Sequence, residues 1–314
     1  PADAATARDT VIIAGKASNG WTVELVCPLA NILQSAHSLV LRIAVFSVVG
    51  LGLIFFVSWS FSTRLQRVTM ANERLSSELG IARKIQSSVL TRKTPPYLGT
   101  ILRPAREVGG DFYDFQEKDG LLYFAVGDAS GKGIPAALFT FLADAGFRMA
   151  ADMGLPPDEI VARINALLCR DNHACMFVTL FVGRLDLSSG RLEYCNAGHM
   201  PLVVVRPGGG AEFLPAKSNV AAGILGGYRY AMQEAAFEPG TMLLAYTDGV
   251  TEAERSDHEQ YGENRLLAFA SAHAKDTPSV FVENMERDLD AFTAGAEQSD
   301  DITALAVFVG SGAV

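Results

Sequence analysis

The chain has 314 residues, enough for one well-filled hydrophobic core with accessory segments, or for two domains. Its net charge of −9 argues against a nucleic-acid partner, because phosphate backbones select basic surfaces. The four cysteines contain no C-x-x-C pair, so neither a disulfide framework nor a zinc site is expected, although Cys169 and Cys175 flank His173. Cys169, Cys175 and Cys195 are expected to be reduced thiols packed as small hydrophobes. Hydrophobic residues make up 49% of the chain, high for a soluble domain, and one segment supplies much of the excess.

The sequence opens on Pro1, and further sequence is expected to precede it. Trp21, Val23 and Leu25 alternate, which predicts a last strand feeding a short helix. The stretch WTVELVCPLANIL resembles the membrane-proximal tail of extracytoplasmic Cache-type sensor domains, so residues 1–36 are expected to end such a domain.

From Ile43 to Phe61 there are nineteen residues without a charge. As a helix they reach about 28 Å, close to the thickness of a hydrocarbon core. Trp59 suits an interfacial anchor, and residues 37–61 are expected to span a membrane. Arg64, Arg67, Arg74, Arg83 and Lys84 follow the span, whereas Arg42 stands close before it. The positive-inside rule then puts the C-terminal bulk on the cytoplasmic side of a cytoplasmic membrane.

Residues 62–96 read as a linker helix that stops at Thr94-Pro95-Pro96. Leu65, Val68, Asn72, Leu75, Leu79, Ala82, Gln86 and Val89 recur in steps of three and four, a heptad pattern. Asn72 falls at a position where one polar residue fixes register, so a homodimer through residues 62–91 is expected; a single amphipathic helix on the following domain is the alternative.

Residues 97–314 are rich in predicted strands, at 121–127, 176–187, 191–198, 201–205, 241–247 and 302–309. Ser188-Ser189-Gly190 makes a hairpin turn, and helices are expected after Pro135, Pro156-Pro157, Gly262 and Thr277-Pro278. Consecutive strands with tight turns predict antiparallel sheets covered by helices, an α+β class.

Four segments place aspartates at strand ends beside glycine: GGDFYDF (Asp111, Asp114), VGDASGKG (Asp128), YTDGVTEA (Asp248) and SDDITALAV (Asp300, Asp301). A lone aspartate of this kind is usually a turn residue. Carboxylates crowding together need compensation, and an all-oxygen donor set selects Mg2+ or Mn2+. Lys132 invites comparison with a nucleotide-binding loop, but Gly133 stands where that loop needs Ser or Thr.

With AGHMP included, the order GGDFYDF, GDASGKG, AGHMP, YTDGVTEA, DDIT resembles the SpoIIE-type serine phosphatases, the bacterial branch of the metal-dependent protein phosphatase 2C family. The resemblance covers about residues 97–310, and ELGIARKIQSSVL is similar to the helix that often leads into this domain. It implies a four-layer sandwich of two antiparallel sheets flanked by helices, with two Mn2+ or Mg2+ ions at one end. Asp128 is implied to bridge both ions, the Ala129 carbonyl to add a ligand, Asp248 and Asp300 to hold the other side, and Asp111 to sit near the second ion. Asp300 is preferred to Asp301 by the motif's alignment, and Asp114 is expected to order its loop. Metal-activated water would then release phosphate from a phosphoserine or phosphothreonine protein, often a STAS-type anti-sigma antagonist in related systems.

Gly131 and Gly133 allow close backbone approach, and Arg106 or Arg103 are the candidates for holding the phosphate, weighed against plain solvated arginines. His199 reads more simply as a turn histidine than as a catalytic one. Two other functions compete: a catalytically inactive phosphoprotein-binding scaffold, and a diguanylate cyclase suggested by Gly109-Gly110-Asp111-Phe112. Phe112 replaces the glutamate that the cyclase turn requires.

Overall fold

Alternating residues at the start of the chain form an exposed antiparallel hairpin of β1 (Thr10–Lys16) and β2 (Thr22–Pro28), running in register from Thr10↔Pro28 to Lys16↔Thr22. The structure is a computed structural model describing residues 9–90, 94–217 and 219–310. The chain divides into two units, Pro1–Leu75 and Ser76–Val314. The expected strand leads straight into α1 (Leu29–Leu90), which is not short but continuous for 62 residues, beginning in the first unit and ending in the second. Its stretch Leu29–Met70 is long and apolar enough to cross a membrane, and none of the most apolar part is buried. The side chains of Asn72, Leu75, Ala82, Gln86 and Val89 lie outside the described residues.

In the second unit, apolar residues alternate along strands that are covered on both faces. In chain order the elements are β3 (Leu98–Arg103), β4 (Asp111–Lys118), β5 (Leu121–Ala129), α2 (Ile134–Asp152), α3 (Pro157–Leu168), β6 (Val178–Asp186), β7 (Arg191–Ala197), β8 (Val203–Val205) and β9 (Ala211–Phe213). There follow β10 (Gln233–Ala236), β11 (Met242–Tyr246), α4 (Asp248–Thr251), α5 (Gly262–Ala272), α6 (Pro278–Thr293) and β12 (Ile302–Phe308). One five-stranded sheet has the order β10-β7-β6-β5-β4 and the other β3-β12-β11-β8-β9, with every pairing antiparallel.

Strand periodicity sorts the core into three layers. Leu122, Phe124 and Val126 of β5 meet Leu243 and Ala245 of β11 and Leu305 and Val307 of β12 between the sheets. Their neighbours Tyr123 and Ala125 turn outward and pack under α2 and α3, against Phe147, Ile160 and Ile164. On the far side Met242, Leu244, Ala304 and Ala306 pack under α5 and α6, against Leu266, Phe281 and Met285. The result is the expected four-layer sandwich. Having apolar partners on both faces is why LLYFAVG and ITALAVFV read as unbroken hydrophobic runs.

Proline starts three of the helices, at Pro135, Pro157 and Pro278, where its missing N–H costs nothing. α2 is also long and apolar enough to cross a membrane, yet it buries Ala136, Ala143 and Phe147 in the core and is a core helix. One expectation fails here. Cys195 is buried and Cys169 half-buried, but Cys175 is exposed, held in a left-handed turn (φ 53°) beyond the end of α3.

Candidate active site

The antiparallel register sets Asp111, the first residue of β4, directly opposite Asp128 of β5. Both belong to the set of alternate positions that faces the other sheet, since Tyr113 and Phe115 of β4 and Phe124 and Val126 of β5 point into the inter-sheet core. In the second sheet β11 and β12 are neighbours, so the residues after Tyr246 and before Ile302 leave from the same end. That places Asp248, the first residue of α4, beside Asp300 and Asp301. Gly249 makes this approach possible: a Cβ there would lie 1.9 Å from the Asp301 carbonyl oxygen.

Side chains stitch the two sheets together at this end. Thr247 Oγ1 donates to Asp111 Oδ2 (2.6 Å) and accepts from the Thr303 amide (3.1 Å). The Asp301 carboxylate accepts from Gly110 N (2.6 Å) and Ala105 N (2.7 Å). Both its oxygens are thus committed to backbone donors that hold the Gly109-Gly110-Asp111 segment. Gly110 is clasped further by the Thr140 hydroxyl and by Ala129 N, both donating to its carbonyl. Asp300 gives only one oxygen to the backbone, Oδ1 accepting from the Asp301 amide (2.8 Å), and turns Oδ2 to Lys132, whose Nζ lies 2.9 Å away.

The electrostatics carry the mark of crowded acids. Burial, then the Asp128 charge, holds the Asp111 carboxyl well above the usual carboxylate range. Asp128 is pushed up to about 7 by burial and by the Asp248 and Asp300 charges. Asp248 is raised by burial and then by Asp300, with Lys132 opposing the rise. Among the described residues no three acidic, histidine or cysteine side chains already converge closely enough to grip one ion. The donors nevertheless fit divalent cations: oxygen atoms on largely buried carboxylates, repelling one another, with one half-exposed ammonium beside them.

The other sequence-predicted residues fall in different places. Asp114 does not order a loop. It lies inside β4, three positions from Asp111 and so on the opposite face, where Arg148 Nε of α2 is 2.8 Å from its Oδ2. Arg148 also pairs with Asp144 one turn earlier in α2 (3.2 Å). Arg103 is occupied by Asp290 of α6 (2.7 Å), whereas Arg106 is exposed on the loop before β4. Gly131 (φ 88°) and Gly133 (φ 77°) shape the loop between β5 and α2. His199 is a turn residue: its amide donates to Asn196 Oδ1 (2.8 Å), its carbonyl accepts from Asn196 Nδ2 (2.9 Å), and its Nδ1 lies 2.9 Å from Thr179 Oγ1. Burial pushes its imidazole down to about 4, so it is neutral near pH 7.

Sequence reasoning passed over Thr247, the anchoring role of Asp301, the Lys132–Asp300 pair and the Asp144–Arg148 partnership. Thr247 offered a signal, a polar residue between an apolar strand and an aspartate. The contacts of Lys132 and Arg148 depend on how elements cross and had none.

With this geometry in view, the comparisons with known proteins decide the family. Residues 118–309 match the family model of Stage II sporulation protein E (SpoIIE). The chain belongs to the SpoIIE family. Protein IcfG of Synechocystis sp. is 30% identical over 275 residues, covering 77% of this chain and 43% of that protein. The phosphoserine phosphatase RsbU of Bacillus subtilis is 27% identical over 214 residues, 65% of this chain and 64% of that protein. The chain spans about half the length of the curated relatives it matches. The SiaA-PP2C domain of Pseudomonas aeruginosa superposes with a TM-score of 0.67 at 23% identity, over 76% of this chain and 98% of that domain. The second unit therefore has the fold of a PP2C-type phosphatase domain, the SpoIIE variant of it.

Proposed function

We propose that this chain is a membrane-anchored, metal-dependent protein phosphatase that hydrolyses phosphoserine or phosphothreonine on a protein partner in bacterial signal transduction. The observation that carries the reading is the meeting of Asp111 and Asp128 from one sheet with Asp248 and Asp300 from the other, an acid-rich end that calls for cations. Asp111, Asp128, Asp248 and Asp300, with the Ala129 carbonyl, are the groups that would hold two Mg2+ or Mn2+ ions. Bound there, the ions would supply a water acidic enough to be hydroxide near neutral pH. Asp111 and Asp128 act as one unit because the strand ladder fixes their separation, and Thr247 orients Asp111 through its hydroxyl. Asp301 holds the loop that carries Asp111. No side-chain nucleophile is needed, and His199, half-buried, neutral and tied into its turn, is not placed to be one. Arg106, exposed on the loop before β4, and the backbone around Gly131 and Gly133 are the candidates for receiving the substrate phosphate.

Further parts of the reading rest on the sequence pattern. The apolar stretch of α1 supports a membrane anchor, and the basic residues after it support a cytoplasmic phosphatase domain. The likeness to RsbU supports a STAS-type anti-sigma antagonist as the phosphorylated partner, and the heptad pattern supports a homodimer through residues 62–91.

The test is phosphate release from a phosphoserine peptide in Mn2+. Asp128→Asn should lower the rate by on the order of a thousandfold or more while the protein stays folded. A variant as fast as the wild type would remove Asp128 from the chemistry. A folded wild type that releases no phosphate at any Mn2+ concentration would favour a phosphoprotein-binding scaffold.

A further inference from the structure

Lys132 stands in the loop between β5 and α2, flanked by Gly131 and Gly133, both at positive φ. Its Nζ donates to Asp300 Oδ2 (2.9 Å) and to the Ser299 carbonyl (2.7 Å), joining segments 168 and 167 residues apart. An ammonium is a compact cation with three donors. Two of them are used here on a carboxylate and a carbonyl, the oxygen types that a hard metal ion would take. The charge of Lys132 also reaches further, opposing the rise of the Asp248 and Glu252 carboxyls. Both groups of the salt bridge remain about a third or more exposed (41% for Lys132, 34% for Asp300), so the ammonium is seated without being sealed in. Open space surrounds both glycines: a Cβ at Gly133 would meet nothing within 4 Å and one at Gly131 only a methionine methyl at 4.0 Å.

We propose that Lys132 is a tethered stand-in cation: it neutralises Asp300 while the site holds no ion, and it must let go of that carboxylate before a divalent ion can use it. This deepens the metal-site reading above and rests on it. The two cations compete for one oxygen, so the lysine stabilises the empty site and weakens metal binding, setting the concentration at which the site fills. A second positive charge close to an entering dication adds repulsion that water and salt screen only in part.

The experiment uses the full chain in lipid nanodiscs, stripped of metal and titrated with MnCl2 by calorimetry at low ionic strength, alongside thermal unfolding with and without Mn2+. Lys132→Gln should bind Mn2+ about tenfold more tightly than the wild type. In metal-free buffer it should melt at a lower temperature, and saturating Mn2+ should close that gap. Lys132→Arg, which keeps the charge, should restore most of the wild-type affinity. Unchanged or weaker Mn2+ binding by Lys132→Gln, with binding lost in Asp128→Asn, would overturn the inference alone. Equal Mn2+ binding by the wild type and Asp128→Asn would overturn the metal-site reading, and the inference with it.

Discussion

Between α2 and the first sheet, Asp114 and Asp144 are both buried and share Arg148. At the strand ends, Asp111, Asp128, Asp248 and Asp300 are set against one another, with the half-exposed Lys132 as the opposing charge among the described residues. The first group is compensated from within by a guanidinium whose planar fork suits two carboxylates at once. It joins a helix to a strand and offers little to anything arriving from solvent. The second group is left short of positive charge, and under the proposed function that shortage is what cations would make good. Two buried acids therefore serve as a clamp in one place, while under the proposed function four crowded acids serve as a receptor in the other. The difference lies in where the counter-charge comes from.

Removing the internal counter-charge should show the comparison at its starkest. Arg148→Met would leave Asp114 and Asp144 facing each other in a buried space. It should destabilise the domain by about 3 kcal/mol, read as a lower denaturant midpoint, while the folded fraction keeps its Mn2+ affinity. If Mn2+ affinity falls along with stability, the two acid groups are not separate. Asp301→Asn touches the other region through its scaffold. One carboxylate oxygen that accepts from Ala105 N or Gly110 N becomes an amide donor. The expected cost is about 1–3 kcal/mol, with a fall in phosphate release as the Gly109–Asp111 segment loosens, measured by unfolding and by turnover on the same preparation.

The smallest effect is a change in pH dependence. Burial, and then Asp114, raise the Asp144 carboxyl to about 7. In the unfolded chain it titrates near 4. The folded state therefore holds this proton more tightly, so its stabilising contribution is full below about pH 4 and is lost as pH rises towards about 7. Asp144→Asn cannot ionise. Relative to the wild type, its stability should improve as pH rises through that window and level off above it. Denaturant midpoints at pH 5 and pH 8 decide the matter, and an equal difference at both values would show that Asp144 does not titrate there.

The sandwich was legible because both sheets are covered on both sides. β5, β6, β11 and β12 are too apolar to be exposed and too closely bounded by turns to be long helices. β4 was not legible as a strand because GGDFYDF carries two aspartates, which read as loop residues until strand alternation gives each its own face. β3 follows two prolines and precedes a loop, and β9 and β10 are three and four residues long, too short for a periodic signal. At the site, the strand-end aspartates beside glycine announced themselves. The division of labour between adjacent Asp300 and Asp301 rests on which oxygens meet backbone N–H groups, and that is a property of packing. Arg148 could be paired with Asp114 only once α2 was known to cross β4. Cys175 misled because hydrophobicity predicts burial on average, whereas a left-handed turn put this residue outside.

The fit of Gly249 against the Asp301 carbonyl means that two backbones touch with no side chain to cushion them. Asp248 and Asp300 are thus riveted to a single rigid plate, just as Asp111 and Asp128 are fixed to another by their shared ladder. The two sheets are pegged to each other at this end by the Thr247 hydroxyl and by the Asp301 carboxylate. Under the proposed function, the hold of this end on a cation should therefore depend on the spacing between the two sheets, because each supplies half of the carboxylates.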